Sequence, residues 1–193
     1  MKNLLLAAVA VLSLTISNAQ EREKGVFEIA PYVGFNSSNF NGDEVEGLDN
    51  RTGVAFGVHA DYYFNDRWSL RSGINYLPMG ADGIDGELEL NYIAIPLNAN
   101  WHFGSTRKWN LNFGFSPSFL TNAEFEGIEV TDGIESFQIS LSYGIGYKLF
   151  INENFSLLFE AQNDLGITDF LEVNEVSRTN YGGSFNIGGV FNF

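Results

Sequence analysis

The feature that most constrains this chain is an alternation of apolar and polar residues with period two, recurring in stretches of about ten residues. "GVFEIAPYVGF" puts Phe27, Ile29, Pro31, Val33 and Phe35 on one face and Glu28, Ala30, Tyr32 and Gly34 on the other. "TGVAFGVHADYYF", "WSLRSGINY", "YIAIPLNANWHF", "WNLNFGFSPSF", "FQISLSYGIGYKL" and "FSLLFEAQ" repeat the scheme, with Leu158 breaking the polar face of the last. The closing "GGSFNIGGVFNF" aligns Phe185, Ile187, Phe191 and Phe193 against Ser184, Asn186, Gly188 and Asn192. Such a pattern places successive side chains on opposite faces of a strand. About eight such stretches, each long enough for a tilted strand to cross a bilayer, predict an all-β chain.

The connections sort by length. "NDR", "GSTRK" and "NEN" are short; "NSSNFNGDEVEGLDN", "GADGIDGE", "TNAEFEGIEVTDGIES" and "GITDFLEVNEVSR" are long. Tight turns at one end and long loops at the other predict an eight-stranded antiparallel up-and-down transmembrane β-barrel. A soluble barrel of the lipocalin kind shows the same alternation with its faces reversed, and parity alone does not separate the two. The polar face here is mostly Gly, Ser and Asn, which fit the inside of a narrow barrel, whereas the apolar face carries large aromatics that would overfill it. Trp68, Trp101 and Trp109 all flank short turns, as an interfacial girdle requires, and Tyr76, Phe119, Phe137 and Tyr181 would form a second ring near the long loops.

The first residues, "MKNLLLAAVAVLSLTISNAQ", read as a secretory signal peptide over 1–19: Lys2, an apolar run, and small Ser17 and Ala19 before the cleavage point. The barrel domain is then 20–193. The chain has no cysteine, so its stability cannot come from disulfides. A formal net charge of −14 argues against nucleic acid as a partner. The expected environment is outer-membrane lipid, integral to the outer membrane of a Gram-negative-type bacterium, as a monomer. A final strand ending in Phe193 is similar to the C-terminal signature of outer-membrane assembly clients.

"LNYIAIPLNANWHFG", following "SLRSGINYLPMGADG", resembles the Tyr-apolar-Ile-Pro strand of the PorT-like outer-membrane β-barrel family, and "LSYGIGYKLFINENFSLLFEAQNDLGITD" is similar to its later hairpin. The resemblance spans the whole mature chain and implies a small barrel of the OmpA/OmpX kind. The family is named after a component of a secretion apparatus, and it offers no catalytic motif to carry over.

Ionisable residues on the inward parity are Glu28, His59, Asp61, Arg71, His102, Lys148 and Glu160. Charges inside a narrow barrel are costly unless paired. Arg71 and Lys148 against Glu28, Asp61 and Glu160 are expected to form an ionic network across the lumen, filling it and locking its shape; a gate for small ions or solutes is the sharper reading. A hydrolase would need a histidine with a nucleophile and an acid in reach. The two histidines, His59 and His102, lie nearer the short turns, and no catalytic residue, cofactor or metal site is assigned.

The long loops hold most of the carboxylates, from Asp43, Glu44 and Glu46 through Glu124, Glu126 and Glu129 to Asp169, Glu172 and Glu175. They read as a hydrated rim. None follows EF-hand spacing, although weak surface binding of divalent cations stays open. "EFEGIEVTDGIESF" alternates enough to carry its hairpin beyond the bilayer, where it would present an edge to a surface or envelope partner. The function expected is therefore structural or surface-interacting and non-enzymatic. The alternatives are a narrow pore and, more remotely, an exported soluble ligand-binding barrel.

Overall fold

The computed structural model describes residues 24–171 and 177–193. The signal-peptide segment, and Glu172 and Glu175 of the fourth long loop, lie outside them. Among the described residues there are ten strands: β1 Phe27–Gly42, β2 Asp49–Tyr63, β3 Trp68–Gly83, β4 Gly86–Ala94, β5 Leu97–Phe103, β6 Trp109–Phe125, β7 Ile128–Glu129, β8 Phe137–Asn152, β9 Phe155–Gly166 and β10 Arg178–Asn192. All pairings are antiparallel, and the strands close into a ring in which β10 pairs back onto β1 through Phe35↔Phe185, Val33↔Ile187 and Ile29↔Phe191. Among the described residues every strand of the ring has a neighbour on both sides, with the β2–β3 ladder interrupted between Asn50 and Phe56, and closure of this kind satisfies the backbone in a medium without water.

The described residues divide into ten strands where eight stretches were expected, for two local reasons. The stretch read as one strand over 92–103 is broken at Ile95-Pro96 into β4 and β5, both of which pair with β3 and β6. Proline has no N–H to give to the ladder. The second reason is β7, a two-residue stub returning along β6 after a turn in which Glu126 and Gly127 both have positive φ. Two such residues suit the tight hairpin turn that matches strand twist.

The sidedness follows the reading of the polar face. Outward Phe113 and Leu141 are 47% and 41% exposed, whereas inward Asn112 and Ser140 are 0% and 1%. Outside, aromatic rings pack around the short-turn end: Trp68 stacks on Trp101 at 6.2 Å and Trp101 on Phe103 at 5.1 Å, while Trp109 and Tyr147 at 4.9 Å, and Phe155 and Phe191 at 5.1 Å, meet at a tilt. Toward the other end, Phe56 stacks on Tyr76 at 4.9 Å and Phe119 meets Phe137 at 5.3 Å. Phe193 is exposed at the short-turn end, its amide donating to Phe27 O at 2.9 Å.

Beyond the second aromatic ring the strands run further than the apolar alternation suggests. The expected long loop "GADGIDGE" is instead a two-residue turn, with Gly83 opposite Gly86 and the ladder continuing through Met79↔Leu90. Here the parity persists but the polarity reverses. Inward Leu77, Met79, Ala81, Leu90 and Tyr92 are buried, while Asp82 and Glu87 face out. Once the outside is water rather than lipid, the apolar face belongs inside.

Candidate functional site

The lumen is where the sequence placed its candidate residues, and it has two halves. The half nearer the short turns is polar. Arg71, on β3, donates from Nη2 and Nε to Asp61 Oδ2 at 2.9 and 3.2 Å, and from Nη1 to Glu160 Oε2 across the ring. Strand register sets this up: Asp61 lies directly opposite Arg71. Lys148 on β8 instead pairs with Glu28 on β1, and Tyr63 Oη donates to the same Glu28 oxygen at 2.9 Å. Direct ion pairs thus gather the five expected residues into an Arg71–Asp61–Glu160 group and a Lys148–Glu28 pair. Ser69 and His102 bridge the gap: Ser69 Oγ donates to Asp61 Oδ1 at 2.9 Å and lies 3.0 Å from His102 Nε2, and the His102 ring packs on Tyr63 at 4.8 Å.

Ser69, His102 and Asp61 supply the residue types of a hydrolytic relay, but not its order. Asp61 accepts from the Ser69 hydroxyl, and all three side chains are buried within the ring. His59 lies against Tyr32 at 4.5 Å, with its Nδ1 3.9 Å from Glu160 Oε1. Among the described residues no group of three or more His, Cys, Asp or Glu could hold a metal ion.

Amide side chains do much of the remaining filling, and five of them lie across a glycine. Asn186 faces Gly34, Asn75 faces Gly57, Asn98 faces Gly114, Asn110 faces Gly146 and Gln162 faces Gly144, all as direct register partners. A Cβ at Gly144 would fall 2.1 Å from Gln162 Oε1, so the glycine is needed for close approach rather than for backbone freedom. Among the described residues the amide oxygens of Asn98, Asn110, Gln162 and Asn186 have no hydrogen-bond donor in range and rest on the glycine backbone, the setting of a weak Cα–H···O contact. Gly, Ser and Asn were legible as small lumen residues; their pairing across strands was not, because it depends on register.

The half nearer the long loops is apolar, which the sequence reading missed. Phe40, Leu77, Met79, Leu90, Tyr92, Ala123, Ile134 and Phe170 pack into one buried cluster, with Phe40 and Phe170 ring to ring at 4.5 Å. Residues 134–135 of the third loop and 170–171 of the fourth complete it: Ile134 bridges to Leu171, and Glu135 N donates to Phe170 O at 2.8 Å. Leu158, the apparent break in a polar face, packs with Ala30 and Val190 as a smaller apolar patch. Between the polar and apolar halves is a cavity of about 20 Å³ beside Tyr32, His59, Arg71, Asn98 and Asp164, room for about one water molecule. Asp164 is a buried lumen carboxylate beyond the expected set.

The loops carry the acidic rim. Arg51 on β2 is gripped by Glu87 and Glu89 of β4, and Arg178 reaches Glu44 at 2.9 Å.

The comparisons agree with this architecture. The sequence matches the outer membrane protein beta-barrel domain family over residues 18–172. No curated protein matches it in sequence. Among solved structures, the outer membrane protein OprG from Pseudomonas aeruginosa superposes with a TM-score of 0.53 at 15% identity, covering 91% of this chain and 99% of OprG. Neisserial surface protein A gives 0.53 at 18% identity, covering 88% and 99%, and the N-terminal β-barrel domain of Pseudomonas aeruginosa OprF gives 0.51 at 13%, covering 89% and 100%. These likenesses are of fold. With its all-β antiparallel up-and-down ring, apolar outer belt and match over most of its length, the chain belongs to the outer membrane protein beta-barrel domain family and is integral to the outer membrane.

Proposed function

We propose that the mature chain is a monomeric, eight-stranded transmembrane barrel with a structural or surface-interaction role, neither enzyme nor open pore. β4 and β5 count as one stave in this reading, and β7 as part of a surface hairpin. The observation that carries it is the filled interior. A paired ionic layer and an apolar layer occupy successive levels of the lumen, leaving a cavity of about 20 Å³ between them. Narrow eight-strand barrels are filled by side chains in this way. Arg71 and Lys148 serve as internal braces, and the acidic loops face the cell exterior. Residues 1–19 act as a cleaved signal peptide, and kinship with PorT-like barrels is the finer family reading.

The test is to purify the protein from carbonate-resistant outer membranes and record it in planar bilayers. Little or no unitary conductance is expected. Robust, steady conductance from the wild-type protein would put the pore in place of this reading.

A further inference from the structure

Beyond the second aromatic ring stand two hairpins side by side. Their tips are tied together: Glu87 N donates to Glu126 Oε1 at 2.8 Å, and Glu126 N to Glu87 O at 3.1 Å. β3, β4, β6 and β7 thus form one projecting arm, whose last register pairs are Gly83↔Gly86 and Phe125↔Ile128. Ile84, eight residues beyond Tyr76, stands about 20 Å above that ring at about 3.3 Å per residue and a tilt near 40°.

Lipid cannot account for the apolar residues found there. Ile84 is 99% exposed and Ile128 69% exposed, with half-exposed Phe125 opposite Ile128. Turn chemistry gives no reason for isoleucine at position 84, because turns favour Gly, Asn, Asp and Pro. Around these side chains lie Asp82, Asp85, Glu87, Glu124, Glu126 and Glu129. Among the described residues Arg51 is the cation that pairs into this part of the arm, and Glu87 and Glu89 already hold it.

We propose that this arm is the docking surface for a basic protein partner, with Ile84 and Ile128 as apolar anchors inside a ring of carboxylates. The inference rests on the surface-interaction reading above and names the chemistry of its partner. Charge selects the occupant. A second copy of the chain would bring the same carboxylates face to face, and an anionic glycan or lipid headgroup would meet the same repulsion. A cationic surface gains attraction and steering, while burial of the isoleucines supplies the short-range hold.

Two measurements separate the inference from the reading beneath it. The chain has no cysteine, so I84C is a unique handle for a membrane-impermeant maleimide on intact cells. Labelling is expected; failure to label removes the surface reading and the inference with it. The second measurement uses full-length protein in lipid nanodiscs and two fluorescent peptides of equal charge, one alternating lysine with valine and one of lysine and glycine. The I84S/I128S double variant should bind the lysine–valine peptide about tenfold more weakly than wild type. It should bind the glycine peptide unchanged, and E126Q/E129Q should weaken both. Tryptophan fluorescence verifies that each variant is folded. If I84S/I128S binds the lysine–valine peptide as wild type does, the docking inference is overturned and the surface reading stands.

Discussion

Replacing Arg71 by methionine tests the lumen most directly. The side chain is buried and holds Asp61 and Glu160 at once. Methionine keeps much of its length and removes its charge, leaving two carboxylates without their cation in a closed interior. Breaking a buried ion pair from one side costs about 3–5 kcal/mol. The two carboxylates are not left equally exposed to that cost. Asp61 keeps hydrogen bonds from Ser69 Oγ and Asn100 Nδ2, both at 2.9 Å. Glu160 keeps only long ones from Asn110 and Asn112, at 3.3 and 3.4 Å. R71M/E160Q should therefore recover more stability than R71M/D61N, and the triple variant more than either. The assay is urea unfolding in lipid vesicles, followed by the fluorescence of Trp68, Trp101 and Trp109, which leave the bilayer interface on unfolding. A loss below about 1 kcal/mol for R71M, the range of a solvent-screened pair, would refute a dry, paired lumen. Equal rescue by D61N and E160Q would refute the ranking by residual hydrogen bonds.

Three further outcomes follow from other levels of the structure. F113R, on the outward face of β6, should cost about 2–4 kcal/mol in the same unfolding assay, and a near-neutral result would contradict lipid contact there. G144A should destabilise the fold because its methyl group meets Gln162 Oε1 and the Ala161 carbonyl oxygen; shortening the amide in G144A/Q162A should recover part of the loss in thermal melts, and no recovery would mean that the backbone contact dominates. Deleting Phe193 removes one exposed ring and a terminal amide bond to Phe27, so refolding into detergent should proceed nearly as in wild type while insertion in cells falls. Equal insertion would remove the assembly role assigned to that residue.

How much of this was legible beforehand depends on which solvent each residue meets. Where lipid lies outside and packed polar groups inside, a strand's two faces differ sharply, so alternation reveals strand, sidedness and the level of the aromatic girdle. Trp68, Trp101 and Trp109 could be placed from their distance to the short turns, and the pairing of β10 with β1 follows because a ring in hydrocarbon has no tolerable edge. Those properties are set locally, residue by residue, and the linear sequence determines them. The upper interior is different. Leu77 and Met79 keep the inward parity of Ser69 and Arg71 but change chemistry, since their outward neighbours stand in water, and a search for apolar-outward strands stops where they begin. Phe40, Ile134 and Phe170 come from β1 and two separate connections, and only their convergence completes the apolar cluster. Likewise, Gln162 lies over Gly144, and Arg71 chooses Asp61 and Glu160 while Lys148 takes Glu28. These pairings depend on register and on distances across the ring, which no single strand encodes, so they were decided by the tertiary structure alone.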